Sequence, residues 1–150
     1  MKEKREMIKE AALKILSGET TLAELRGFKA EHLAAIYEIG RSLYDTHQYS
    51  KAEDIFKLLC LYDPWQKNHW FGLAASRQMM GLYEEAILAY HLAFAMDEKD
   101  PQISLHLAEC YLRIGDKKSA KRWAKKTLEL TKDRELNRKA NSILNYGKEV

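Results

Sequence analysis

The sequence predicts an all-α protein assembled from a repeated pair of helices. Seven glycines and two prolines among 150 residues are too few turn residues for a β-sandwich or β-barrel, which needs many loops. Alanine recurs at Ala52, Ala86 and Ala120, and glycine at Gly81 and Gly115, in each case 34 residues apart. Charged residues at 31% beside hydrophobic residues at 46% are typical of a folded chain, and we expect residues 1–150 to form one domain.

The 34-residue spacing is the period of the tetratricopeptide repeat, a pair of antiparallel helices. We predict three such repeats over residues 33–131, arranged in a right-handed superhelix. The expected helix pairs are 33–46 with 49–62, 67–80 with 83–96, and 101–114 with 117–131. Small side chains at recurring positions let paired helices approach each other, while large ones fill the seam between them. The large residues expected in the seam are Ile36, Ile39, Leu43, Phe56, Trp70, Leu73 and Tyr90.

Two flanking segments are expected to complete the fold. Residues 133–146 are predicted to form a capping helix, because a repeat array needs an atypical end to cover its last apolar face. Residues 3–16 have the period of an amphipathic helix, and Thr21 with Glu24 three positions later forms a capping box that begins a second, short helix. The N-terminal segment, residues 1–30, has no repeat partner and must pack on the first repeat or on another molecule.

The concave face of the predicted superhelix is the candidate binding surface, since the first helix of each stacked repeat lines it. Helical spacing selects the residues that point into it. The candidate groove residues are Tyr37, Arg41, Tyr44, Asn68, Phe71, Gln78, Leu105, Glu109 and Leu112. Aromatic rings on a rigid scaffold favour an extended peptide with apolar side chains. The alternative is that neighbouring helices or the N-terminal segment cover these residues.

Composition and motifs argue against several other function classes. No apolar run approaches the roughly 18–20 residues of a membrane span, so direct membrane insertion is not expected. Cys60 and Cys110 lie 50 positions apart, and the N-terminus does not resemble an export signal. Both cysteines are therefore predicted to be reduced thiols that pack in the core as small apolar side chains. His106 shares a helix face with Cys110, but two ligands do not make a zinc site. Without a nucleophile–base pair or a phosphate-binding glycine loop, we expect neither catalysis nor a cofactor.

The formal net charge of +3 is unevenly distributed along the chain. Residues 117–139 hold ten Lys or Arg and three Asp or Glu, a local net charge of +7, which leaves −4 on the remainder. Such a basic helical segment is usually solvated or pairs with an acidic partner. Nucleic-acid binding is the less favoured alternative, and we do not expect it.

Three sequence runs carry a closer resemblance. They are Asp63-Pro64-Trp65, the run Trp-Phe-Gly-Leu-Ala-Ala at 70–75, and the run His-Leu-Ala-Glu-Cys-Tyr-Leu at 106–112. From about residue 8 to residue 145, the chain resembles the class II chaperones of bacterial type III secretion systems, which hold pore-forming translocator proteins in the cytoplasm before export. The Ala-Glu-Cys-x-Leu segment makes this resemblance more specific than the repeat period alone.

The resemblance implies a cytoplasmic bacterial chaperone that binds a short, extended, proline-containing segment of a secreted translocator protein in its concave groove. Tyr37 and Tyr44 fall on positions that line the family's pockets, Phe71 falls on a matching apolar position, and Arg41 stands where members can carry an aromatic residue. The resemblance also implies a homodimer formed through residues 1–30. The basic net charge departs from the acidic character common in the family. The competing interpretation is a generic tetratricopeptide scaffold that bridges parts of a larger complex.

Overall fold

The computed structural model describes residues 1–148, and every regular element within them is a helix. The helices of this part of the chain are α1 (Lys2–Leu16), α2 (Leu22–Leu25), α3 (Ala30–Asp45), α4 (Tyr49–Tyr62), α5 (Lys67–Met79), α6 (Tyr83–Met96), α7 (Pro101–Arg113), α8 (Lys117–Leu130) and α9 (Arg134–Asn145). From α3 onward, each helix packs on the next one along the chain. The all-α prediction is confirmed, and α3–α4, α5–α6 and α7–α8 are the three predicted helix pairs.

Local side chains explain where several helices begin. The Thr21 hydroxyl accepts the Glu24 N–H, and the Glu24 carboxylate accepts the Thr21 N–H, both at 3.1 Å, which is the predicted capping box at α2. Asp100 caps α7, whose first residue is Pro101, and Asp116 caps α8 in the same way. These caps satisfy backbone N–H groups that have no partner within a helix.

The turn inside each repeat has one backbone position with a positive φ. Gly81 and Gly115 occupy it in the second and third repeats, with φ of 76° and 85°. In the first repeat His47 stands 34 residues before Gly81 and also has a positive φ, 62°. A side chain in this left-handed region costs about 1–2 kcal/mol, so the first turn is intrinsically less favourable than the other two.

The core lies between the two helix layers of the repeats. Its largest buried side chains are Tyr90 and Phe56, 0% and 2% exposed. The recurring small residues Ala52, Ala86 and Ala120 are fully buried, as expected for positions where two helices come close. The close approach of these helices is therefore encoded by the small residues of the repeat.

Ile39 is a correction to the predicted core, because its side chain is 53% exposed. Its repeat equivalents Leu73 and Leu107 are 3% and 0% exposed, since the second helix of the preceding repeat covers each of them. No repeat precedes α3, and α1 buries none of its own residues. The first repeat therefore keeps an apolar face that no part of residues 1–148 covers fully.

The two cysteines are buried and free, at 6% exposure for Cys60 and 0% for Cys110. Burial raises the pKa of each thiol to about 12, so both remain protonated at neutral pH and pack as small apolar groups. Within residues 1–148, no helix is both long enough and apolar enough to cross a bilayer.

An ion pair between α4 and α5 provides a stability prediction. Arg77 Nε donates to Glu53 Oε1 at 3.0 Å, and these side chains are 20% and 14% exposed. Partial burial raises the pKa of Glu53, but hydrogen bonds from Arg77 and Lys57 outweigh it and hold the pKa below 4.5. We expect Arg77→Met to lower the free energy of unfolding by about 1–3 kcal/mol at pH 7, measured by urea denaturation, because it leaves a shielded carboxylate without its main partner.

The same pair predicts the pH dependence. A carboxylate whose folded pKa is lowered stabilises the fold above its unfolded pKa, and this contribution is lost as pH falls through the folded pKa. The difference between the parent chain and Arg77→Met should therefore shrink below pH 4.5, the ordinary pKa of the group. Lys57→Met is the matched control, because Lys57 is 49% exposed and its removal should change stability by less than about 1 kcal/mol. An equal loss in both variants would contradict the assignment to Arg77.

Candidate peptide-binding groove

An aromatic cavity of about 230 Å³ opens between α3, α5 and α7. Its lining residues are Tyr37, Arg41, Tyr44, Asp45, Phe56, Phe71, Gly72, Ala75 and His106. Tyr37, Arg41 and Tyr44 come from one face of α3, because residues four and three positions apart share a face of a helix. The exposed Arg41 and Asp45 add charge of both signs to a lining that is otherwise largely apolar.

The rings of the cavity hold one another in place. The Phe71 ring meets the Tyr90 ring edge-on at a centroid distance of 5.6 Å, and the His106 ring at 5.5 Å. His106 in turn stacks parallel to Tyr90 at 5.3 Å. The Tyr37 ring meets the buried Phe56 ring edge-on at 5.8 Å. Since several rings are fixed before any ligand arrives, binding there costs little side-chain entropy.

A second cavity, of about 250 Å³, continues from the first toward the start of α3 and α5. Its lining residues are Ala30, Leu33, Ala34, Tyr37, Glu38, Asp63, Gln66, Asn68 and His69. Tyr37 lines both cavities, so they adjoin each other, and we call the two together the trough. Partial burial raises the pKa of Tyr37 and of Tyr44, so both phenols stay neutral near pH 7 and offer hydroxyl donors beside apolar rings.

Comparison with known proteins identifies the family. Tetratricopeptide-repeat family profiles match residues 32–66 and 79–139. The low calcium response locus protein H of Yersinia pestis is 32% identical over 133 residues, which cover 86% of this chain and 79% of that protein. The type III secretion translocator chaperone SycD of Yersinia enterocolitica, in an alternative dimer, is 30% identical, with a TM-score of 0.76 over 81% of this chain and 98% of that one. This chain belongs to the type III secretion translocator chaperones.

A structure of the same Yersinia enterocolitica chaperone contains a peptide of the translocator YopD. It is 30% identical to this chain, with a TM-score of 0.75 over 78% of this chain and 92% of that one. The family resemblance and the tetratricopeptide fold predicted from the sequence are thus confirmed.

Beside the trough of this chaperone lies a hydrogen-bonded chain of polar side chains. The Tyr90 hydroxyl donates to Gln78 Oε1 at 2.6 Å, and Gln78 Nε2 donates to Glu109 Oε2 at 3.2 Å. Glu109 Oε2 also lies 3.2 Å from His106 Nδ1. Burial raises the pKa of Glu109, but its contacts with His106 and Gln78 outweigh this and hold the pKa below its ordinary value. The hydrogen bond to Gln78 fixes the Tyr90 ring, against which both Phe71 and His106 pack.

The structure separates the predicted groove residues into three groups. Tyr37, Arg41, Tyr44 and Phe71 line the first cavity, and Asn68 lines the second. Gln78 and Glu109 line neither of these two cavities and belong to the polar chain beside them. The remaining two, Leu105 and Leu112, are described next.

Leu105 and Leu112 differ from the prediction that they face the groove. Leu105 is 3% exposed in a core cluster with Ala140 and Ile143 of α9, and Leu112 is partly buried against the same cluster. The capping helix α9 packs on α7 as well as on α8, so it covers the face of α7 that the first two repeats leave open. For these two leucines the alternative interpretation holds, since a neighbouring helix covers them.

Five residues that line the first cavity were not among the predicted groove residues, and two of them, Gly72 and His106, are related by the repeat. They are 34 residues apart and so occupy the same repeat position. Gly72 has no side chain at that position, and the ring of Phe56 fills the space, since an ideal Cβ on Gly72 would lie 2.4 Å from Phe56 Cε1. A glycine aligned with a large polar residue in the next repeat is the signal that could have indicated a shared pocket.

Proposed function

We propose that this protein is a cytoplasmic bacterial chaperone that binds a short, extended segment of a secreted type III translocator in the trough, and so keeps that protein soluble and competent for secretion. One observation carries the proposal. The trough consists of two cavities that share Tyr37 and are lined mainly by first helices of the repeats, in a chain whose relative SycD was solved with a translocator peptide.

The physical chemistry of the trough fits an extended apolar ligand. Aromatic rings line the trough, and they bury a large apolar area while losing little side-chain entropy. Prolines in the ligand would lower the entropy cost of holding the ligand extended. A translocator with membrane-spanning segments exposes apolar surface that drives aggregation. Binding one segment tightly shifts the population toward the soluble complex by mass action, with no chemical step. The protein on this account acts stoichiometrically and is not an enzyme.

Co-expression tests the proposal. Secreted apolar proteins encoded beside this chain are expressed with it, without it, and with a variant bearing Tyr37→Ala and Tyr44→Ala, and the soluble fraction of each is measured after centrifugation. We expect at least one of them to be soluble with the parent chain alone. If every candidate is equally soluble in all three cases, the chaperone function is wrong and the generic scaffold takes its place.

We also propose a homodimer formed through residues 1–30. Three large apolar side chains of α1 have little cover in one copy, since Ile8, Leu13 and Leu16 are 61%, 58% and 77% exposed. Ile39 on α3 and Phe28 just before it are exposed as well, at 53% and 36%. Burying such residues against a second copy gains roughly 25 cal/mol for each Å² of apolar surface removed from water.

Sedimentation equilibrium measures the dimer directly. We expect the mass of two chains for the parent protein, and of one chain after deletion of residues 1–30 or after Leu13→Glu with Leu16→Glu, because two charges cannot be buried in an apolar interface. Leu88→Glu with Leu92→Glu is the control, since these leucines on α6 are also exposed, at 66% and 42%. A single-chain mass for the parent protein refutes the dimer.

A further inference from the structure

The two cavities of the trough differ in charge. The first is lined by one cation, Arg41, and one anion, Asp45. The second is lined by two acidic residues, Glu38 and Asp63, and by no lysine or arginine. Among residues 1–148, neither of these carboxylates pairs with a lysine or an arginine within 4.0 Å. The second cavity therefore carries negative charge that no ion pair in the described chain compensates.

His69 adds a hydrogen-bond acceptor to the second cavity. It lines this cavity although it is only 6% exposed. Its Nδ1 donates to the backbone carbonyl oxygen of Asp63 at 2.9 Å. Because a carbonyl oxygen can only accept, Nδ1 carries the proton, and in the neutral ring Nε2 is an acceptor. Nε2 has no hydrogen-bond partner among residues 1–148 and keeps some accessible surface, so a ligand in the cavity can reach it.

The two acidic residues come from different parts of the fold. Glu38 lies on α3, and Asp63 lies between α4 and α5. Asp63 is held in place, since its Oδ1 accepts the Trp65 N–H and its Oδ2 accepts a hydrogen bond from Gln66 Nε2, both at 3.1 Å. Each carboxylate oxygen can accept more than one hydrogen bond, so both residues keep the capacity to bind a donor.

We propose that the second cavity binds a basic side chain, arginine or lysine, of the translocator segment whose apolar side chain occupies the first cavity. The cation pairs with Glu38 and Asp63, and one of its N–H groups donates to His69 Nε2. This inference rests on the proposed translocator-binding function and specifies the class of segment that the trough selects. A segment with an acidic side chain at the same position is rejected by like charge.

The spread of the acceptors favours a long side chain over a metal ion. Within residues 1–148, no three His, Cys, Asp or Glu side chains are grouped closely enough to hold a metal ion. The acceptors instead surround a cavity of about 250 Å³. A guanidinium carries several N–H donors on a long apolar stem, so it reaches separated acceptors while the stem packs beside Tyr37 and Leu33.

The geometry of α3 sets the spacing along the segment. Ala34 lines only the second cavity and Arg41 only the first, and they are seven positions apart. Seven positions correspond to roughly 11 Å along a helix. An extended chain covers that distance in about three residues. The basic residue is therefore expected about three positions from the apolar anchor.

The test uses the full chain and two series of synthetic peptides of about ten residues, each containing one leucine and one proline. Arginine, citrulline or glutamate stands at the expected spacing before the leucine in one series and after it in the other. Citrulline keeps the shape of arginine without its charge. Fluorescence anisotropy measures each dissociation constant. In one series we expect the arginine peptide to bind about tenfold more tightly than the citrulline peptide, and the glutamate peptide to bind most weakly.

A pair of matched variants assigns this preference to the second cavity. Glu38→Gln should lower the preference for arginine over citrulline about threefold, because it removes one of the two carboxylates. Glu84→Gln makes the same charge change at an exposed position on α6, outside both cavities, and should leave the preference unchanged.

The outcomes separate this inference from the function on which it rests. Equal affinities of the arginine and citrulline peptides in both series would overturn the inference and leave the translocator-binding function standing. An equal loss of preference in Glu38→Gln and Glu84→Gln would also overturn it, because the effect would then come from the overall charge. If no peptide of either series binds, the trough is not a peptide site, and both proposals are wrong.

Discussion

Replacing Tyr37 and Tyr44 together with alanine is expected to weaken the binding of a translocator segment by about a hundredfold or more. Both rings line the first cavity, and Tyr37 also lines the second, so the change removes the one side chain that lines both parts of the trough. Truncating a central aromatic anchor commonly costs about 2 kcal/mol of binding free energy. Isothermal titration calorimetry with a segment of the co-expressed translocator measures the effect.

Three further variants show whether the loss belongs to the trough. Tyr37→Phe with Tyr44→Phe keeps the rings and removes only the hydroxyls, and should retain most of the affinity because ring burial dominates. Phe71→Ala, on the opposite side of the same cavity, should weaken binding as the tyrosine variant does. Tyr146→Ala removes an exposed ring that lies outside both cavities and should change nothing. Unchanged affinity in the Tyr37 and Tyr44 alanine variant would show that the segment binds elsewhere.

Gly72→Ala is expected to lower the free energy of unfolding by about 2 kcal/mol or more. The added Cβ would lie 2.4, 2.5 and 2.6 Å from three ring carbons of Phe56. That ring is 2% exposed and so has little room to move. Alanine in place of glycine ordinarily stabilises a helix interior by about 0.5–1 kcal/mol. A loss of stability would therefore be opposite to the effect of helix propensity and would point to the clash. Urea denaturation followed by circular dichroism measures it.

A second substitution at Phe56 tests the clash itself. In the background of Phe56→Leu the ring is absent, and Gly72→Ala should cost clearly less than it does in the parent chain. Gly40→Ala is the comparison at the same ring, where the added Cβ would lie 3.0 Å from Phe56 Cζ. Its cost should be smaller than that of Gly72→Ala. Equal costs of Gly72→Ala with and without the ring would contradict the packing argument.

The sequence predicted the three helix pairs because their determinants are local or periodic. Asp100 caps the helix that begins at Pro101, and the alanines at 52, 86 and 120 indicate close helix contacts through spacing alone. The observed helices of the three repeats begin and end within three residues of the predicted ranges. Helix pairs that recur at a fixed period can therefore be predicted without knowing which distant residues are in contact.

The candidate site was predicted in part, and the differences at Ile39 and Leu105 share one physical cause. Tyr37, Arg41, Tyr44 and Phe71 come together because each has a neighbouring repeat on the expected side. Ile39 and Leu105 follow the same periodic rule, but they lie in the first and last repeats, where the neighbour is missing or is replaced by a different helix. The periodic pattern predicts burial correctly only where a repeat has a neighbouring repeat on each side. The first and last repeats each lack one of these neighbours.

The sequence by itself determined the all-α fold and the tetratricopeptide helix pairs, and it pointed to Tyr37, Tyr44 and Phe71 as groove residues. It did so because helix signals act over a few residues and the period carries them along the chain. Only the tertiary structure decided that α9 buries Leu105, that Phe56 fills the space left by Gly72, and that His106 completes the cavity. These outcomes depend on which side chains meet across helices, and such contacts join residues far apart in sequence that no local pattern relates.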